Sequence, residues 1–161
     1  IHNFAMSSPA LGPLGPLNFS VATLVSSRGL GKRERTRLQL IETAVHALAA
    51  DTEGLIKMAL EGIRLVGADP DMAGVHVMGG LSNLPQHLPA KAADGSDLKY
   101  HLECAFLTVA MPLGFDTVLG TPWRDYRLLP DDNFVLCEFR RIVELRESDA
   151  LMAVVDLYQE P

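Results

Sequence analysis

The sequence predicts an α/β chain of βα units around a parallel sheet. Short apolar, β-branched runs alternate with stretches of helical spacing, in the order strand, helix, strand, helix, strand, helix. Hydrophobic residues make up 48% of the 161, enough to build a core for one domain of ordinary size. Clusters of Gly, Pro and Asp fall between the periodic segments, where such units turn.

Residues 1–17 (IHNFAMSSPALGPLGPL) hold three prolines and two glycines and read as an arm or loop, with the domain proper over 18–161. The chain opens at Ile1 rather than Met, which suggests a processed, truncated or incomplete chain. Residues 18–26 (NFSVATLVS) read as a buried strand, and "SRGLGKRERTR" as a polar loop. Residues 38–45 (LQLIETAV) fit either a strand or the middle of a helix, because the run is too short for periodicity to decide. A helix over 51–66 is clearer. Asp51 or Thr52 can cap it, Leu55, Ile56, Ala59, Leu60, Ile63 and Val66 recur on one face, and Lys57, Glu61 and Arg64 fall on the other. Gly67 is its expected end. Val75 to Met78 reads as a short strand, 84–97 as loop, 98–113 as an amphipathic helix closing at Gly114, and 115–119 as a strand. Thr121-Pro122-Trp123 forms its exit loop, and 133–146 and 150–158 form two closing helices.

A net charge of −6 argues against a nucleic-acid or membrane-surface binder, since phosphates need a basic face. The basic cluster at 32–37 is short and interrupted by Glu34. No run of about 18 apolar residues is present to span a membrane, and no signal peptide is evident. Cys104 and Cys137 lie in apolar helical patterns and read as two buried, reduced thiols, which fits a cytoplasmic protein. No phosphate loop, nucleophile elbow or zinc motif occurs.

In parallel sheets, chemistry sits where strands end and helices begin. Ser82 and Asn83 follow a strand directly, in "VHVMGGLSNLP". Together, "GGLSNLPQHLP" and "YHLECAFLTVAMPLGFDTVLGTP" resemble the methyltetrahydrofolate:corrinoid methyltransferases and the pterin-binding domain of cobalamin-dependent methionine synthase. In that family a strand ends in G-[LV]-S-N, and after a loop comes a helix with F-L-x-x-A-M, a small-residue turn and a short strand. Here these are Gly80-Leu81-Ser82-Asn83, then Phe106-Leu107-Thr108-Val109-Ala110-Met111, then Gly114-Phe115-Asp116. The match covers 74–122 and extends more loosely back to about residue 38.

The resemblance implies a (β/α)8 TIM-barrel type fold, of which this chain carries roughly the carboxyl-terminal half, since a full barrel needs about 250 residues. It implies methyl transfer between N5 of a methyltetrahydrofolate-like pterin and the cobalt of a corrinoid (cobalamin) protein. That corrinoid would ride on a partner, because no DxHxxG cobalamin loop is present. The family's asparagine falls on Asn83, as the catalytic and pterin-binding residue. A neutral amide can donate or accept, so it can follow a proton arriving on N5 without ionising. Ser82 and Gln86 join it as substrate-binding candidates, and Glu42, in Ile41-Glu42-Thr43, stands where the family carries a pterin-binding aspartate. Lys91 is the candidate for the family's basic residue after the motif loop.

Other residues keep two readings. Asn83 fits a turn role without the downstream match, and Ser82 is a turn partner rather than a nucleophile. Gln86 and His87 either touch ligand or lie in a solvated loop. His46 and His76 read as core or edge, and His101 as surface. Trp123 is a lid over a flat ligand or, preferably, barrel-end packing, and the methionines fill the core. The alternatives for the whole are a dihydropteroate-synthase-like pterin enzyme, against which the basic phosphate-binding residues expected near the last strand are missing, Arg124 and Arg127 lying nearby in no recognisable pattern, or a non-catalytic truncated barrel subunit acting as an assembly partner. A half barrel leaves an apolar edge, so a homo-oligomer or a second chain completing the barrel is expected.

Overall fold

The computed structural model describes residues 40–121 and 123–159, with two short strands nearer the amino terminus. These are β1 (Ala5–Met6) and β2 (Phe19–Ser20). The rest of the expected arm, of the strand over 18–26 and of the loop after it lies outside the described residues.

The ambiguous run at 38–45 is a strand, β3 (Leu40–Thr43). It pairs in parallel with β4 (His76–Gly80), Glu42 facing Met78 and Thr43 facing Gly79. Pairing supplies what periodicity lacked: residues 40–43 lie beside a strand with ladder groups to satisfy. β4 pairs in parallel with β5 (Phe115–Leu119), and Ser20 of β2 joins β5 at Thr117. The sheet order is β1-β2-β5-β4-β3, with β1 antiparallel to β2. Successive parallel neighbours joined by helices, β3-α1-β4-α2-β5, make an α/β layer. Among the described residues the sheet is open at β3.

Helix α1 (Leu55–Ala68) is pinned at its start by Asp51. Its two carboxylate oxygens accept from the backbone N–H groups of Leu55 at 2.7 Å and Ile56 at 2.9 Å. These are orphan donors of a first turn, and Asp51 rather than Thr52 satisfies them. Ile56, Leu60 and Ile63 are buried as the spacing predicts, and the helix ends one residue beyond Gly67. Helix α2 (Leu98–Ala110) is less amphipathic than expected: Leu102 through Leu107 are all buried, so it runs through the core. Residues 111–113 tighten into a 3-10 turn, and Gly114, at φ 115°, makes the left-handed exit that non-glycine residues resist. α3 (Phe134–Ile142), capped by Asn133, and α4 (Glu147–Asp156) close the helical side.

The core centres on Phe106, whose ring meets Phe115 edge-on at 5.5 Å and Phe139 at 6.5 Å. Val77, Phe115 and Val118 belong to this cluster. A Cβ on Gly79 would also point into it, 2.9 Å from the Val45 side chain and 3.1 Å from the Phe115 ring. Glu42, Met78 and Gly80 therefore lie on the opposite face of the sheet, away from the helices. Gly79→Ala is expected to cost about 1–3 kcal/mol through overpacking. Gly80→Ala, whose Cβ would lie 3.6 Å from Asn83 Nδ2, should leave the melting temperature unchanged. Thermal melts of the two variants check this; equal shifts would refute it.

Several side chains sit otherwise than the sequence suggests. Cys104 is buried but Cys137 is exposed, because α3 turns its Val135, Leu136 and Phe139 inward and leaves 137 on the far side. Met58, Met72 and Met152 are exposed, and only Met78 of the described methionines is fully buried. His101 is half-buried with its ring edge on Tyr100, and His46 is exposed.

Candidate functional site

Parallel strands bring their carboxyl ends to one rim. Thr43, Gly80 and Leu119 close β3, β4 and β5 there, Gly80 and Leu119 being direct partners. The residues after Gly80 form a single 3-10 turn, Leu81–Asn83. Leu81 and the following Leu84 are both 0% exposed, whereas Ser82 and Asn83 are exposed. The two leucines act as studs: burying both forces the two polar residues between them outward at the rim. Leu84 also holds the neighbouring loop, its carbonyl accepting from the Leu48 N–H at 3.0 Å.

Asn83 Oδ1 accepts from Gln86 Nε2 at 2.9 Å, and the Gln86 backbone N–H donates to the Asn83 carbonyl at 3.1 Å. The amide thus has its oxygen occupied, while Nδ2 hydrogen-bonds no described residue and lies beside Gly80. Gly80 carries no side chain, and a Cβ there would make ordinary contact with Asn83 Nδ2 at 3.6 Å, so a flat molecule that reaches this backbone also meets that amide. Among the described residues no His or Asp hydrogen-bonds the Ser82 hydroxyl, so none of them serves it as an activating base. His87 follows with a left-handed φ of 65°, exposed in the same loop. Glu42 is exposed on the sheet face it shares with Gly80, in the row two residues below the end of β4, and no hydrogen bond joins it to Asn83. Lys91 is exposed further along, bridged to Asp97. The structure therefore unites Asn83, Ser82 and Gln86, sets Glu42 on the adjoining face, and keeps Lys91 apart.

Asp116 lies toward the other end of the sheet. The β4–β5 register slips between Val77 and Met78, and Asp116 is the extra residue. One of its oxygens accepts from the Val77 N–H and the Thr117 hydroxyl, each at 3.0 Å, and the other meets His76 Nδ1 at 2.7 Å. It repairs a broken ladder and is remote from the rim.

Sequence reasoning missed a network behind the rim. Glu103, on α2 and 3% exposed, accepts from the Tyr126 hydroxyl at 2.8 Å and forms an ion pair with Arg124 at 3.0 Å. The Tyr126 oxygen also accepts from the Thr121 N–H at 3.2 Å. Positions 103, 121, 124 and 126 share no periodicity, so no sequence pattern marks them. Trp123 does not pack as expected. It is 84% exposed. Burial pushes the Tyr126 phenol up to about 12, and its hydrogen bond to Glu103 works in the same direction. Burial raises Tyr100 as well. A raised folded-state pKa keeps its stabilising effect below the ordinary value of 10.0 and loses it as pH climbs toward 12. The melting temperature should therefore fall across that window, and Tyr126→Phe should flatten part of the fall; pH-dependent melting by circular dichroism tests this.

Among the described residues no group of three or more His, Cys, Asp or Glu could hold a metal ion, and no helix is long and apolar enough to cross a membrane. Compared with models of protein families, with curated proteins and with solved structures, the chain matches none.

Proposed function

We propose that this chain is the carboxyl-terminal portion of a barrel-type pterin-binding methyltransferase, moving a methyl group between pterin N5 and the cobalt of a corrinoid held by a partner protein. The observation that carries the reading is the rim turn: Ser82 and Asn83 stand outward between fully buried Leu81 and Leu84, with the Asn83 amide against the side-chain-free backbone of Gly80. Asn83 Nδ2, which hydrogen-bonds no described residue, gives a donor toward a ring nitrogen. The Gln86 amide fixes the Asn83 rotamer, so little ordering remains to be done when ligand arrives. Glu42 supplies a carboxylate on the same sheet face, suited to the guanidine-like edge of a pterin. Ser82 completes the polar rim, and the corrinoid protein would approach from the solvent side above it.

An enzyme condensing a pterin with an aromatic amine is less well supported. It would need free cations for a phosphate near the last strand, and Arg124 is paired with Glu103 while Arg127 is paired with Asp125. A non-catalytic assembly subunit keeps one supporting feature, the exposed Ile41 on the strand that ends the described sheet. The same feature suits a homo-oligomer or second chain that completes the barrel.

Calorimetry with 5-methyltetrahydrofolate tests the reading. Saturable heat is expected, and no heat at millimolar ligand rules out the enzyme reading for this chain. Sedimentation tests completion of the barrel: a well-folded monomer of 17.5 kDa counts against a pairing subunit.

A further inference from the structure

The segment leaving β5 is tied down with unusual thoroughness. A Cβ on Gly120 would lie 2.9 Å from the Tyr126 oxygen, so the ring closes directly on the backbone there. The Thr121 N–H donates to that same oxygen, and the Arg124 N–H donates back to the Thr121 carbonyl at 3.0 Å, closing a turn. The Tyr100 hydroxyl donates to the Asp125 carbonyl. The Arg124 side chain and the Tyr126 hydroxyl converge on Glu103. Burying a carboxylate is costly, and here an ion pair and a phenol offset that cost. What this scaffold presents to solvent is one large aromatic side chain, Trp123.

The placement of that side chain matters. Leu119 and Gly80 are partners at the rim. Trp123 is four residues beyond Leu119 and Asn83 three beyond Gly80, so each lies within roughly 14 Å of that shared edge. An exposed indole on a fixed turn at this rim is a surface for stacking a flat ring.

We propose that Trp123 is a ligand-contacting platform of the rim, stacking on the planar conjugated heterocycle bound there, and that Glu103 is its positioning residue, acting through Tyr126 and Arg124. This rests on the reading of the rim as a site for such a ring. The pterin and the partner's corrin are the two sources of such a ring, and the stacking chemistry is common to both.

Trp123 is the only tryptophan in the chain, so its emission reports on this position alone. The full chain is titrated separately with 5-methyltetrahydrofolate and with hydroxocobalamin, following emission and heat together. Saturable quenching with the midpoint of the heat is expected, and the ring that produces it identifies the source. Trp123→Ala should weaken binding by about tenfold, the effect of one lost aromatic stacking partner. Heat without quenching, and unchanged affinity in Trp123→Ala, overturns the platform and leaves the pterin reading standing. No heat with either ring overturns both. For the positioning role, Tyr126→Phe should lower Trp123 anisotropy and weaken binding severalfold, with no added effect in a Trp123→Ala background. Unchanged anisotropy and affinity, or effects that simply add, overturns it. Should Tyr126→Phe fail to fold, Glu103→Gln gives the same readout, since it keeps an acceptor for the phenol and discharges the pair with Arg124.

Discussion

Asn83→Ala is expected to slow methyl transfer to cob(I)alamin by roughly a hundred- to a thousandfold, the cost of removing one preorganised donor from a site where charge develops. The same variant should melt with the parent. Asn83 is exposed, and its side chain hydrogen-bonds only Gln86 among the described residues, while the turn that carries it is held by Leu81 and Leu84, which stay in place. The turn reading predicts the reverse pattern, a lower melting temperature and an unchanged rate. Single-turnover kinetics with a melt on the same preparation separates the two, and an unchanged rate would return Asn83 to a structural role. Gln86→Ala makes a graded comparison. It frees the Asn83 rotamer without deleting the donor, so its effect on rate should be smaller.

The elements legible in the sequence are those whose signal is local. Helix α1 is written in Ile56, Leu60 and Ile63 at helical spacing and in Asp51 before them, and β5 matches the residues expected of it. The exposure of Ser82 and Asn83 follows from the alternation Leu-Ser-Asn-Leu at a strand end, once both leucines are buried. What is not legible depends on contacts between distant positions. Residues 38–45 fit two structures until β4 lies alongside. The two glycines at 79 and 80 read alike in sequence, yet the first is required by the packing of Val45 and Phe115, while at the second a Cβ would make only ordinary contact with Asn83 Nδ2 at 3.6 Å. Cys137 and Trp123 carry apolar side chains that sequence assigns inward. Cys137 is turned out because Val135, Leu136 and Phe139 take the inward side of its helix, and Trp123 stands 84% exposed on the exit turn. Glu103 is the extreme case: a charge in a buried stretch of helix is explained only by Arg124 and Tyr126, more than twenty residues away.

That pairing also makes Glu103 the residue whose loss should most damage the fold at the rim. Glu103→Leu removes the acceptor of the Tyr126 phenol and leaves Arg124, 31% exposed, with no counter-charge. Breaking a buried pair by deleting one partner costs about 3–5 kcal/mol, and the partial exposure of Arg124 places this case near the lower end. For a chain of this size about 3 kcal/mol corresponds to a fall of roughly 6–12 °C in melting temperature. The loss comes mostly from the stranded partner rather than from the bond itself. Removing both charges in Glu103→Leu/Arg124→Leu should therefore recover much of the fall, because an apolar pair needs no compensation for burial. If the double variant melts as low as or lower than the single, the cost lies in the shape of the Glu103 site and not in its charge. In that event the exit turn is held by packing around Tyr126, and Glu103 has no separate part in it.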